Sequence, residues 1–254
     1  MDKEISTPAS EILGFPRRLY RGMNPDQLFE MGRDLLYGFD RQRIDYEKAV
    51  EYIKESAGNG HVLANGVFAV LLGAGNVIPR DQDSFRILCD SRVIKNDLVY
   101  LANTGHPIAQ TTVAALGTLG FRLDDVHAFQ EKRRAWRLFG RTTDDTIFDL
   151  NLSAADQGCA EAFFRLAHCF TLMKKDGDAV NALREAARRG VALAQWKLGE
   201  LHSGDHHLGS IRFTRDADEA AFWQGRARAQ GYVPPAERSS QLIRAPTQSA
   251  PQSG

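Results

Sequence analysis

The sequence predicts an all-α fold of about five stacked helical hairpins, and three observations lead there. First, one phrase is written twice. Asp45 to His61 reads "DYEKAVEYIKESAGNGH" and Asp178 to Val191 reads "DAVNALREAARRGV". In both, apolar residues recur at helical spacing, and a small pair and a Gly close the phrase. Second, Gly60, Gly105, Gly158, Gly190 and Gly231 each follow a helical stretch. Third, small residues keep register with those glycines. Ala64, Ala109, Ala162 and Ala194 each fall four residues after a Gly, and Ala69, Ala114, Ala167 and Gly199 five residues further on. Small residues at fixed places let two helix backbones approach closely while larger neighbours fill the grooves. One such pair cannot bury its apolar stripe alone, but a stack of pairs buries a continuous one.

Residues 1–24 show no convincing repeat, although "EILGFPRRLY" is suited to cap the first apolar face. Unit one (25–60) holds "MGRDLLYG" and then the opening phrase. Unit two (61–105) opens on "HVLANGVFAVLLGAG" and lengthens its second helix through "RILCDSRVIKNDLVYLANTG". Unit three (106–158) follows "HPIAQTTVAALGTLG" with an insertion, "EKRRAWRLFGRTTDDTIFDLNL", read as helix, break, helix. Unit four (159–190) passes from "CAEAFFRLAHCF" to Asp178 with almost no loop. Unit five (191–232) places the loop "HSGDHHLGSIRFTRD" before "DADEAAFWQGRARAQG". The repeats end there, and residues 233–254, rich in Pro, Ser and Gln, are expected to be disordered.

Composition narrows the function. The 32 basic residues balance the 32 acidic ones, so no net field attracts nucleic acid or an anionic membrane. No Asp, Glu, Lys or Arg occurs from Leu98 to Phe121, a stretch long enough to span a bilayer. Asn103, His106, Pro107 and Gln110 interrupt it, however, and "TGHP" divides it into two helices, which fits a buried middle repeat and no membrane insertion. The start of the chain lacks a basic-then-apolar signal, and three cysteines cannot all pair. Cys159 and Cys169 would stand about 15 Å apart on one helix. Free thiols in a cytoplasmic protein are the expectation.

Candidate chemistry is sparse. In "HSGDHHLG", His202 and His206 are four apart, beside Asp205 and His207, a spacing that on a helix would aim two imidazoles at one metal. Ser203-Gly204 should end the helix first, so a solvated loop is the better reading, and a metal-dependent hydrolase is the rival it leaves. His61 and His106 share one repeat position and read as structural. Cys89, Cys159 and Cys169 sit in apolar helical settings that favour burial over reactivity. There is no phosphate loop, paired metal motif or nucleophile elbow, so neither catalysis nor a cofactor is expected. Arg133, Arg134 and Arg137 interleave with Trp136 and Phe139 as in single-strand RNA binders, yet Asp144, Asp145 and Asp149 follow at once. A helix with a solvated basic face, or one that meets an acidic peptide, accounts for them better.

The phrases "AQWKLGELHSG" from Ala194, "DYEKAVEYIKESAGNGH" from Asp45, "DADEAAFWQGRARAQG" from Asp216 and "SAADQGCAEA" from Ser153 resemble the Sel1-like repeat, a relative of the tetratricopeptide repeat. The resemblance runs from about Asp26 to Tyr232. It implies a right-handed superhelix whose first helices line a concave face. On that face it selects Phe29, Arg33 and Leu36; Gly66, Val70 and Gly73; Thr111, Ala115 and Thr118; Phe164, His168 and Thr171; and Trp196, Glu200 and Ser203. A protein or peptide held at the aromatic and polar ends of that face, against Phe29, Arg33, Leu36, Val70, Phe164, His168, Trp196 and Glu200, is the expected partner. Arg33 and Glu200 are expected to serve binding and not the fold. By the same resemblance the chain is a non-catalytic bacterial adaptor, with an immunity protein against a secreted toxin as the narrower alternative.

Overall fold

The computed structural model describes residues 23–39, 43–74, 87–123, 126, 143–232 and 234. The N-terminal segment through residue 22, the "EKRRAWRLFGR" stretch and, apart from Pro234, the C-terminal tail lie outside the described residues.

The helices follow one another as packed pairs. α1 (Pro25–Tyr37) packs on α2 (Tyr46–Gly58). α3 (Val62–Gly73) packs on a π-helical turn (Val93–Leu98) that runs into α4 (Val99–Asn103). α5 (Pro107–Thr118) packs on α6 (Thr143–Asp156), α7 (Ala160–Leu172) on α8 (Asp176–Arg188), and α9 (Ala192–Ser203) on α10 (Ala217–Ala229). Each second helix also packs on the first helix of the next pair, and α3 packs on α5. The result is an all-α solenoid. Where the sequence suggested a solvated loop in the last unit, the chain instead forms a small antiparallel hairpin, β1 (His207–Leu208) and β2 (Ile211–Arg212). Its two-residue turn has Gly209 at φ 60°, a conformation open to Gly, and Asp176 accepts the Ser210 N–H.

The aligned glycines have one physical role. Gly60, Gly105, Gly158, Gly190 and Gly231 all lie in the left-handed region, with φ from 80° to 99°. After each, the next N–H reaches back five residues to a helix carbonyl. His61 bonds to Ser56, His106 to Leu101, Cys159 to Ala154, Val191 to Ala186 and Tyr232 to Ala227. This C-terminal cap satisfies an orphan carbonyl and turns the chain into the next helix. The following helix is then capped in turn. In α3 and α5 an imidazole Nδ1 accepts the third N–H, His61 from Ala64 at 3.1 Å and His106 from Ala109 at 3.4 Å.

Small residues set the helix crossings. A Cβ on Gly32 would come within 3.1 Å of the Ala49 carbonyl, and one on Gly199 within 3.1 Å of the Ala220 carbonyl. Ala69, Ala114 and Ala167 are buried. A second periodic device is a buried amide that ties three of the pairs to the one before. The side-chain nitrogens of Asn65, Gln110 and Gln195 donate to Ala57, Ala102 and Ala187 at 3.0–3.2 Å, always eight residues back.

The uncharged run is two helices, as "TGHP" implied. α4 ends at Asn103 and α5 starts at Pro107. Among the described residues no helix is long and apolar enough to cross a membrane.

The stack closes on itself. The Ile44 N–H donates to the Gln230 carbonyl, so the turn after α1 is bonded to the end of α10. Phe39 packs into the core formed by α7, α8 and α9, while Ile44 joins Trp196, Ala227 and Tyr232. Across the middle, the Arg33 Nε donates to the Glu161 Oε1 at 2.8 Å, which joins α1 to α7.

Candidate functional site

Closure divides the predicted concave face into a covered half and an open half. In the covered half Phe29 is 1% exposed and lies against the His61 ring at 4.7 Å, inside the core of the first three units. Leu36 is buried in the same core, and Thr111 and Ala115 are also buried. Val70, Thr111, Arg33, Tyr37, Glu161 and Arg165 surround an internal space of only about 20 Å³, too small for a peptide. Arg33 is 18% exposed and its partner Glu161 is 5% exposed. Burial works against the Arg33 charge, but Glu161, joined by Cys159 and Glu30, raises the guanidinium pKa. The expectation that Arg33 is dispensable to the fold is therefore corrected. The curl of the stack brings α7 onto α1, and a buried carboxylate needs its cation. Burial, with Glu161 next, also pushes the Tyr37 hydroxyl up to about 12.

The open half is a cleft of about 610 Å³ between α7, α9 and the hairpin. Phe164, His168 and Thr171 line it from α7, and Glu200 and Ser203 from α9. Five residues chosen by repeat register thus come together in one place. Ala167, Leu183, Leu201 and Leu208 supply apolar wall, and Lys197, His206 and His207 complete the rim. Glu200 bonds the Trp196 Nε1 at 2.9 Å and the Lys197 Nζ at 2.7 Å. Burial raises its pKa, and these hydrogen bonds more than offset that, so the carboxyl sits below its ordinary value. Trp196 itself is 8% exposed, 5.8 Å from the Tyr232 ring and with Arg228 over its face. It supports the cleft wall from behind through Glu200.

The "GDHH" histidines do not converge. α9 ends at Ser203, so the helical spacing of His202 and His206 is lost. His206 and His207 line the cleft, whereas His202 turns to the Phe213 ring at 5.2 Å. Among the described residues no group of three or more His, Cys, Asp or Glu side chains could hold a metal ion. Burial, followed by neighbouring carboxylates, pushes the Cys89 and Cys159 thiols up to about 12, and burial pushes Cys169 up as well. Such thiols are poor nucleophiles near neutral pH.

Register found the cleft residues on α7 and α9, but it could not find the hairpin wall. That wall belongs to an insertion with no counterpart among the described residues of the other units. The amides of Asn65, Gln110 and Gln195 were also missed as a set, although each stands five residues after its repeat Gly.

The fold and cleft define the class, an all-α solenoid of helical hairpins closed head to tail. No family model and no curated protein matches the sequence. Among solved structures the chain is similar to a Sel1 repeat protein from Oxalobacter formigenes. Identity is 20% over 81% of this chain and 87% of that one, with a TM-score of 0.31. It is also similar to c5321, a protective antigen present in uropathogenic Escherichia coli strains that displays an SLR fold. Identity there is 17% over 91% of this chain and 58% of that one, with a TM-score of 0.33.

Proposed function

We propose that this chain is a non-catalytic protein-binding adaptor and that a peptide segment of its partner lies in the cleft between α7 and α9. The observation that carries this reading is the convergence of Phe164, His168, Thr171, Glu200 and Ser203 on one cleft of about 610 Å³. Their register is set by the repeat, and their surroundings mix apolar wall with polar rim. Interfaces concentrate their energy where an aromatic side chain is ringed by polar groups. Phe164 is the anchor. His168 and Thr171 give hydrogen bonds along one side, and the hairpin closes the other. Phe29, Leu36 and Arg33 serve this site by holding the closed form, and Trp196 serves it by fixing Glu200. The narrower reading, an immunity protein, places one dedicated toxin in the same cleft.

The test compares affinity purifications from the native host with wild type, Phe164→Ala, and His168→Glu at the exposed rim. Circular dichroism and urea unfolding first establish that the variants are folded. A partner retained by wild type and lost by both variants supports the cleft. A partner retained by both, yet lost on reversal of Arg133 and Arg134, moves binding to the inserted basic segment and ends the cleft reading.

A further inference from the structure

A second recess, of about 350 Å³, is lined by β2 of the hairpin, whereas β1 lines the cleft. α8 forms one wall with Gly177, Val180, Asn181 and Arg184. Ile211, Arg212, Phe213 and Thr214 form the other, and His202 of α9 completes it. Val180 and Phe213 are buried and make an apolar floor.

The polar groups around that floor have one sign. Arg184 makes no hydrogen bond or ion pair among the described residues. Arg212 meets Asp205 at 3.0 Å, but both side chains are more than 60% exposed, and such a surface pair is weak. Among the described residues no carboxylate lines the recess. The His202 Nδ1 is buried and has no hydrogen-bond partner among the described residues.

We propose that this recess binds a small carboxylate carried on an apolar body. The volume is at the small end of ligand sites, which suits a single ring or one amino-acid side chain. Arginine presents a planar fork that matches a carboxylate with two parallel hydrogen bonds, so Arg184 and Arg212 take the anion. Val180, Ile211 and Phe213 take the body. His202 closes the end of the recess, its ring held edge-on against Phe213. Both a free organic acid and the C-terminal residue of a peptide carry this chemistry.

Amide NMR spectra of the isotope-labelled full chain test it, titrated with benzoate, with N-acetylphenylalanine and with benzamide, the neutral counterpart of benzoate. Saturable shifts at Gly177, Asn181, Phe213 and Thr214 with either acid, and none with benzamide, are expected. The tighter acid identifies the source, N-acetylphenylalanine for a chain terminus and benzoate for a free acid. Arg184→Gln should weaken the tighter acid about tenfold, as expected for loss of one charge-assisted pair. The exposed position of Arg184 leaves the melting temperature unchanged. The proposal is overturned if benzamide binds as well as benzoate, if the shifts map elsewhere, or if Arg184→Gln binds as wild type does.

Discussion

Arg33 and Glu161 stand 128 residues apart in the chain and share a hydrogen bond of 2.8 Å inside the closed solenoid. Cys159 Sγ also contacts the second Glu161 oxygen, at 3.4 Å. Removing Arg33 leaves Glu161 buried without its cation, and removing Glu161 leaves Arg33 only Glu30, 3.5 Å away and 57% exposed. Glu161→Leu should cost about 3 kcal/mol in urea unfolding, because a largely buried cation then has only a solvated partner. The exchange Arg33→Glu with Glu161→Arg should recover part of that loss. An unchanged urea midpoint in Glu161→Leu would mean that α1 and α7 do not meet.

Gly199 should tolerate no side chain. A Cβ there would stand 3.1 Å from both the Ala220 oxygen and the Gln224 nitrogen, which are backbone atoms that cannot step aside. Gly199→Leu should lose about 1–3 kcal/mol or more through overpacking. Gly225 is the contrast. It lies in α10 with nothing within 4 Å of an added Cβ, so Gly225→Ala should gain about 0.5–1 kcal/mol. Equal responses at the two sites would refute this crossing geometry.

His61 should make stability fall in acid. Its Nδ1 accepts the Ala64 N–H, and its Nε2 lies 3.3 Å from Asp26. Burial lowers the imidazole pKa, and the nearby Asp26 and Glu30 only partly oppose this. The folded state therefore binds the proton less readily than the unfolded chain. The contribution is present above the unfolded value of about 6.5 and is lost as pH falls through the lower folded value. His61→Asn keeps an N-cap acceptor that does not titrate. Its melting temperature should drop less between about pH 7 and pH 5 than that of wild type.

Gln195 tests the periodic amide. Its nitrogen donates to the Ala187 carbonyl at 3.0 Å, and the side chain is fully buried. Gln195→Leu keeps the volume and removes the donor, and should cost about 1 kcal/mol. Unit four places Phe163 at the corresponding position, where the Arg189 guanidinium lies over the ring and bonds the Gly158 carbonyl. Phe163→Ala should therefore loosen the equivalent junction, between units three and four, by a different route. Both effects are read as shifts in the urea midpoint.

Thiol reactivity offers a simple check on burial. With their pKa values pushed up to about 12 by burial, Cys89 and Cys159 are protonated near neutral pH. A maleimide should label them only after urea unfolds the chain. Rapid labelling of the native protein at either position would contradict the packing around it.

Much of the fold was legible because a repeat states its rules several times. Gly60, Gly105, Gly158, Gly190 and Gly231 stand out in sequence because only Gly takes a φ of 80° to 99° at low cost. Gly199 stands out because it takes the place that Ala69, Ala114 and Ala167 hold in the other units. The same register selected Phe164, His168, Thr171, Glu200 and Ser203, since residues on one face of equivalent helices point the same way. His61 and His106 were recognised as structural, but their capping role depends on a backbone angle that spacing does not reveal.

The helices, their ends and the pairing of neighbours are readable in the residue pattern, because all are local interactions repeated along the chain. How tightly the stack curls is visible only in the folded molecule. Curl accumulates from small rotations at each junction, and unequal units change those rotations. It is the accumulated curl that brings Arg33 to Glu161 and Ile44 to Gln230. The same curl covers the concave face at Phe29, Leu36 and Thr111 and leaves it open at Phe164 and Glu200.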